Sequence, residues 1–266
     1  MSQPDIDYLN SSHHVGLVKE KFFTYDQPFK MERGTLDDFT LAYETYGELN
    51  SSSNNAVLIC HALTGDHHVA GIYSENDKKP GWWNHVVGPG KAIDTNKFFV
   101  ICSNCLGACK GSTGPSSKKA NGETYGMSFP DLSILDMVRA QKLLLDHLGV
   151  SKLFAVVGGS MGGMQALQWI VEYPDFSEKA IIIAATAQHT VQTIAFNEAG
   201  RRSIVGDPGW KEGEYNEKEG PHKGLAVARM MAHITYLSDH GMEEKFGGSK
   251  RLDSDEQFEF SVQRYL

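Results

Sequence analysis

Five stretches of the chain are apolar over strand-like lengths: FTLAYETYG (39–47), NAVLICHAL (55–63), FFVICSNCL (98–106), LFAVVGG (153–159) and KAIIIAAT (179–186). Their β-branched and aromatic content predicts strands. Around 58–62, 99–102, 154–157 and 181–183 the apolar run is continuous, the pattern of strands covered on both faces. Between the third and fourth stretches a helical period takes over. In ILDMVRAQKLLLDHLG, residues Ile134, Met137, Val138, Leu144, Leu145 and Leu148 form a stripe, with Ser133 placed to cap its start and Gly149 to stop its end. A second helix follows Ser160 and ends before Pro174. Strand, helix, strand, helix, strand in this order predicts an α/β fold, a mostly parallel sheet flanked by helices and joined by right-handed crossovers.

The pattern changes after Thr186. AFNEAGRRSIV, GLAVARMMAHITYLS and DEQFEFSVQRYL have helical spacing, and Gly/Pro-rich stretches such as GDPGWKEGEYNEKEGPHKG separate them. We therefore expect two regions, a core over 1–187 and a helical lid over 188–266. The loop from Asp66 to Thr95 is long enough to carry a function beyond connection.

Composition narrows the classes. The 266 residues carry a formal charge of -8, which disfavours a surface built for nucleic acid. With 41% hydrophobic residues a sizeable core is within reach. The N-terminus lacks an apolar signal-like segment and no run approaches a membrane span, so a soluble, cytoplasmic protein is expected. Three of the four cysteines crowd together in CSNCLGAC (Cys102, Cys105, Cys109), the fourth being Cys60. No second cluster completes a tetrahedral site, and buried free thiols are the simpler reading.

The chemistry concentrates at Gly158-Gly159-Ser160-Met161-Gly162, a G-x-S-x-G between a strand and a helix. That context is the one a nucleophile elbow needs: a serine on a strained turn, small neighbours, and a helix N-terminus behind a developing oxyanion. The alternative is a plain Gly-rich turn opening a helix. Two glycine-rich alternatives fail on spacing. GGSMGG has Ser160 where a dinucleotide fingerprint needs glycine, and in GACKGSTG Lys110 precedes Gly111, the reverse of a phosphate loop. Met161 and the loop His61-Ala62-Leu63-Thr64-Gly65 are the places to seek oxyanion donors. His61 precedes Ser160, against the usual Ser, acid, His order, and reads as structural. His67-His68 reads as part of a polar loop.

HALTGD, GWW, GPGKAIDT, FFVICSN, CKGSTGPSS, GGSMGGMQALQW, IAFNEAGR and ARMMAHITYLS together resemble the homoserine O-acetyltransferases of methionine biosynthesis, from about residue 16 onward. The resemblance implies an α/β-hydrolase fold with a helical lid and a homodimer formed through that lid. It implies acetyl transfer from acetyl-CoA to the hydroxyl of L-homoserine by a ping-pong route through acetyl-serine, with no bound cofactor or metal. Residue by residue, Ser160 matches the nucleophile and Leu63 and Met161 the oxyanion donors. Arg229 matches the arginine that holds the amino-acid substrate, and Tyr236 a tyrosine beside it. On its own pattern Arg229 fits a solvated helix face equally well. Cys105 and Ala108 depart from the residues usual at those positions.

The resemblance places the triad Asp and His, with the last two core strands, after the lid. They are therefore expected beyond Leu266, and residues 1–266 alone are expected to be incomplete and inactive. His189, His222, His233 and His240, with Asp175, Asp207 and Asp239, do not follow strand-like runs where the acid and base belong. Within the class the alternatives are a homoserine or serine O-succinyltransferase and an ester hydrolase. From another class, the chain could be a catalytically incompetent fragment or an interaction module.

Overall fold

The computed structural model describes residues 13–216, 218–247 and 262. The chain divides into two compact units, 1–187 and 188–266.

The first unit is built on a six-stranded sheet. Its strands are β1 (Lys21–Tyr25), β4 (Phe39–Tyr46), β5 (Ala56–Cys60), β8 (Phe99–Ser103), β9 (Leu153–Gly159) and β10 (Ala180–Ile183), in the order β1-β4-β8-β5-β9-β10. Short β2 (Phe29–Met31) and β3 (Gly34–Leu36) pair with each other, as do β6 (Val87–Gly88) and β7 (Ile93–Asp94). From β8 through β5 and β9 to β10 the pairing is parallel, while β4 is antiparallel to β8 and to β1.

Alternation along the strands sends Leu58, Cys60, Ile101 and Val156 to one face and Val57, Ile59, Val100 and Val157 to the other. Helices α1 (Ile134–His147) and α2 (Met161–Glu172) cover the first face with Val138, Leu144, Leu145, Ala166 and Trp169. The second face is closed by the long 66–95 segment, through Val69, Ala70 and Val87. A loop thus does the work of a layer.

The expected boundaries of α1 hold for a physical reason. Ser133 and Asp136 form a capping box, and Gly149, with φ +72°, lets the chain leave the helix. Its buried face differs from the expected stripe: Ile134 and Met137 are half-buried, while Asp136 and Gln141 are buried.

The run at 181–183 reads as a strand covered on both faces; among the described residues β10 is hydrogen-bonded by β9 alone, and these residues do not supply the cover that the pattern asks for. Ile181, Ile182 and Ile183 are 50%, 39% and 43% exposed.

The second unit holds α3 (Val191–Val205), a 3-10 turn at Pro208–Gly213, α4 (His222–Tyr236) and α5 (Asp239–Phe246). Helices α3 and α4 meet at small residues. A Cβ on Gly224 would sit 2.2 Å from the Ser203 carbonyl oxygen, and Ser203 Oγ donates to the Gly224 carbonyl at 3.0 Å. The expected helix at 255–266 lies outside the described residues except Val262, which is helical.

Candidate active site

The site begins where β9 runs into α2. Ser160 holds φ +56°, ψ −123°, a conformation that side chains disfavour. It is exposed, and its backbone N–H donates to the Ile183 carbonyl of β10 at 3.0 Å. The surrounding glycines are sterically required. A Cβ on Gly158 would lie 2.1 Å from Gly162 O, and one on Gly162 2.0 Å from Cys60 O. Only hydrogen at these two positions lets α2 start hard against the ends of β9 and β5. The result is a serine thrust out of a sharp strand-to-helix turn, as the sequence pattern anticipates.

Met161 is the first residue of α2, where backbone N–H groups have no intrahelical partner. Leu63 lies just after β5 in a turn closed by the Gly65 N–H donating to Ala62 O at 2.9 Å, and its side chain is 74% exposed. Among the described residues neither amide donates to another group of the chain. The packing of Gly162 on Cys60 and His61 brings these two segments side by side.

His61 is fully buried and structural. Its Nε2 accepts from the Cys105 N–H at 2.9 Å, so the neutral ring carries its proton on Nδ1, which donates to Ala62 O at 2.8 Å. Burial holds its pKa below the usual 6.5. The same burial raises the Cys60 thiol, and pushes the Cys105 thiol up to about 12. Among the described residues no group of three His, Cys, Asp or Glu side chains is arranged to hold a metal ion.

Beside the Leu63 loop lies a cleft of about 450 Å³ lined by Glu20, Asp66, His67, His68, Tyr73 and Lys110. His67 pairs with Glu20 at 2.9 Å and His68 with Glu44 at 3.2 Å. The buried Tyr46 hydroxyl donates to Glu44 and accepts from the Val69 and Ala70 amides, both at 3.1 Å. Partial burial would raise the Asp66 carboxyl, but hydrogen bonds from Lys110 and the His68 amide outweigh it and hold the group below its usual range. These contacts tie the loop to β4 and give His67 and His68 structural partners.

In the second unit, Arg229, His233 and Tyr236 fall on one face of α4 at about 100° per residue. Gly224, Ala228 and Met231 form the opposite face, and Ala228 and Met231 pack near Gly200 of α3. Arg229 and Tyr236 are exposed. Asp207, one of the acidic candidates, is used structurally: its carboxylate accepts from the Gly224 and Gly209 amides, both at 2.7 Å, and these bonds lower its pKa. Among the described residues, Ser160 Oγ has no hydrogen-bonded histidine.

Two residues that the sequence pattern passed over stand out here. Gln141 and Gln165 are buried polar groups on the inward faces of α1 and α2. The signal was available, since each interrupts an otherwise apolar stripe at helical spacing.

A serine at this strained turn, behind a parallel sheet and ahead of a tightly packed helix, defines the α/β-hydrolase class. The family model described as alpha/beta hydrolase fold matches residues 55–259. The chain is 55% identical to the homoserine O-acetyltransferase of Methanococcoides burtonii over 95% of its own length and 52% of that protein. It is 51% identical to the homoserine O-acetyltransferase of Leptospira biflexa over 100% of its length and 69% of that protein. Among solved structures it resembles the homoserine O-acetyltransferase of Bacillus anthracis, with TM-score 0.84, 35% identity, and coverage of 94% of this chain and 71% of that one. It also resembles esterase E22, with TM-score 0.81, 32% identity and coverage of 94% and 71%. The chain belongs to the homoserine O-acetyltransferase family. It spans about half the length of several of the curated relatives that it matches.

Proposed function

We propose that the protein carrying this chain moves an acetyl group from acetyl-CoA to the hydroxyl of L-homoserine by way of an acetyl ester on Ser160. In the first half-reaction Ser160 Oγ gives its proton to a base and attacks the thioester carbonyl; the C–S bond breaks and CoA leaves as the thiol. In the second, the homoserine hydroxyl gives its proton to the base and its oxygen attacks the acetyl-serine carbonyl. O-acetylhomoserine leaves and Ser160 recovers its proton. Backbone N–H groups of Leu63 and Met161 hold the carbonyl oxygen as it gains charge in both steps. The base and its carboxylate partner belong to the length of the relatives that residues 1–266 do not span.

Arg229 binds the α-carboxylate of the acceptor through its forked guanidinium, with Tyr236 beside it. The 188–266 unit serves as a lid through which two copies pair, and the enzyme works in the cytoplasm in methionine biosynthesis. The observation that carries the reading is the strained, exposed Ser160 at the start of α2 in a chain of this family. Half-reactions of the full-length protein test it. Ser160→Ala should abolish acylation. Arg229→Ala should raise the KM for homoserine about tenfold or more, the loss of a charge-assisted hydrogen bond, while acylation by acetyl-CoA changes less than about threefold. Equal damage to both half-reactions would contradict the role given to Arg229.

Ester hydrolysis is the second reading, favoured by the likeness to esterase E22. The two separate on the lifetime of acetyl-Ser160 without homoserine. A transferase keeps the ester until the acceptor arrives, whereas a hydrolase loses it to water at its turnover rate.

A further inference from the structure

A buried chain of side-chain amides runs under the candidate site. Trp169 Nε1–H donates to Gln141 Oε1 at 2.7 Å, and Gln141 Nε2 donates to Gln165 Oε1 at 2.8 Å. Gln165 Nε2 then reaches two backbone carbonyls, His61 O and Met161 O, each at 3.4 Å. The polarity of this chain is forced. An indole N–H can only donate and backbone carbonyls can only accept, so each glutamine between them has one possible amide orientation. Gln165 and Trp169 are 0% exposed and Gln141 2%.

The two carbonyls at the end of the chain belong to the two segments assigned as oxyanion donors. His61 opens the loop that presents the Leu63 N–H, and Met161 carries the other N–H. The Leu63 turn projects into solvent, and an unsupported turn would let its N–H wander by more than a catalytic hydrogen bond tolerates. We infer that Gln165 is a positioning residue that sets the spacing of the Leu63 and Met161 N–H groups, by binding the His61 and Met161 carbonyls while Gln141 and Trp169 fix its amide. This rests on Ser160 being the acylated nucleophile. The titratable groups facing the chain are Cys105, whose Sγ donates to Gln165 Oε1 at 3.5 Å, Cys60, whose Sγ donates to Gln141 Oε1 at 3.9 Å, and the buried His61. None supplies a cation that would stabilise a carboxylate at position 165.

That setting gives a test. Gln165→Leu removes the clamp. Gln165→Glu has the same shape and, while protonated, keeps one donor for a carbonyl; ionised, it points charge at two carbonyl oxygens. Burial raises such a carboxyl's pKa by up to several units, so the variant changes state within an accessible pH range. The measurement is the rate of Ser160 acylation per folded molecule of full-length protein, with acetyl-CoA and with p-nitrophenyl acetate as donors.

For Gln165→Leu we expect a fall of about tenfold to a hundredfold, approaching the loss of one oxyanion donor, with the donor KM within about threefold. For Gln165→Glu the ratio to wild type should fall as pH rises from about 6 to about 9; a residue that merely fills space would leave that ratio flat. This ratio carries the test alone if Gln165→Leu does not fold. Wild-type acylation rates in Gln165→Leu, or a flat Gln165→Glu ratio, overturn the inference. Acylation of wild type by the ester but not by acetyl-CoA overturns the acetyl-CoA reading and leaves the clamp to be judged on the ester. Acylation of Ser160 by neither donor overturns both.

Discussion

Ser160 holds a backbone conformation that glycine adopts freely and other residues resist, and this strain has a measurable consequence. Alanine at 160 keeps the Cβ and the strain, while glycine releases about 1–3 kcal/mol of it. Against that stands about 0.4–1 kcal/mol for the freer unfolded chain. Ser160→Gly should therefore unfold at a higher temperature than Ser160→Ala, with neither acylated. An alanine variant as stable as the glycine variant would show that the turn is unstrained. His61 makes a second case. Burial depresses its pKa below 6.5, so the unfolded state binds the proton first as pH falls. Its contribution is present above about pH 6.5 and is lost as pH drops through the folded value. In melts taken between about pH 7.5 and 5, His61→Gln should lose stability less steeply than wild type. Parallel slopes would mean that His61 titrates as it does in the unfolded chain.

At the scale of elements, the contact between α2 and the ends of β9 and β5 is what places the serine, and its glycines are not equivalent. A Cβ on Gly162 meets Cys60 O at 2.0 Å, whereas one on Gly159 meets nothing nearer than 3.9 Å. Gly162→Ala should cost about 3 kcal/mol or more through overpacking against backbone, and Gly159→Ala less than about 1 kcal/mol. Denaturant melts of the two variants check this; similar losses would contradict the described packing. The same elements show what the sequence made legible. β9, α1 and α2 were readable nearly to the residue because local chemistry ends them: a capping box at Ser133, left-handed Gly149, and the G-x-S-x-G corner. The short α5 and the strands β1 to β3 were missed because they are brief and partly exposed. Gln165 is visible as a break in the apolar stripe of α2, but its role is not, because its partners, Gln141 and His61, lie 24 and 104 residues away.

Across the whole molecule, each unit contributes its own part of the proposed chemistry. The 1–187 unit supplies the nucleophile, the two backbone donors and the buried amides beneath them. The 188–266 unit presents Arg229 and Tyr236 on the face of α4 turned away from its packing against α3. Among the described residues no helix is long and apolar enough to cross a membrane. The claim that joins these observations is that acetyl passes through Ser160. Its most direct test is peptide mass spectrometry of the full-length protein, quenched soon after mixing with acetyl-CoA alone and again after L-homoserine is added. The account predicts one acetyl group, on the peptide that contains Ser160, which disappears on addition of homoserine as O-acetylhomoserine forms in equal amount. Formation of O-acetylhomoserine with Ser160 never acetylated, or with the acetyl group on another residue, would contradict it.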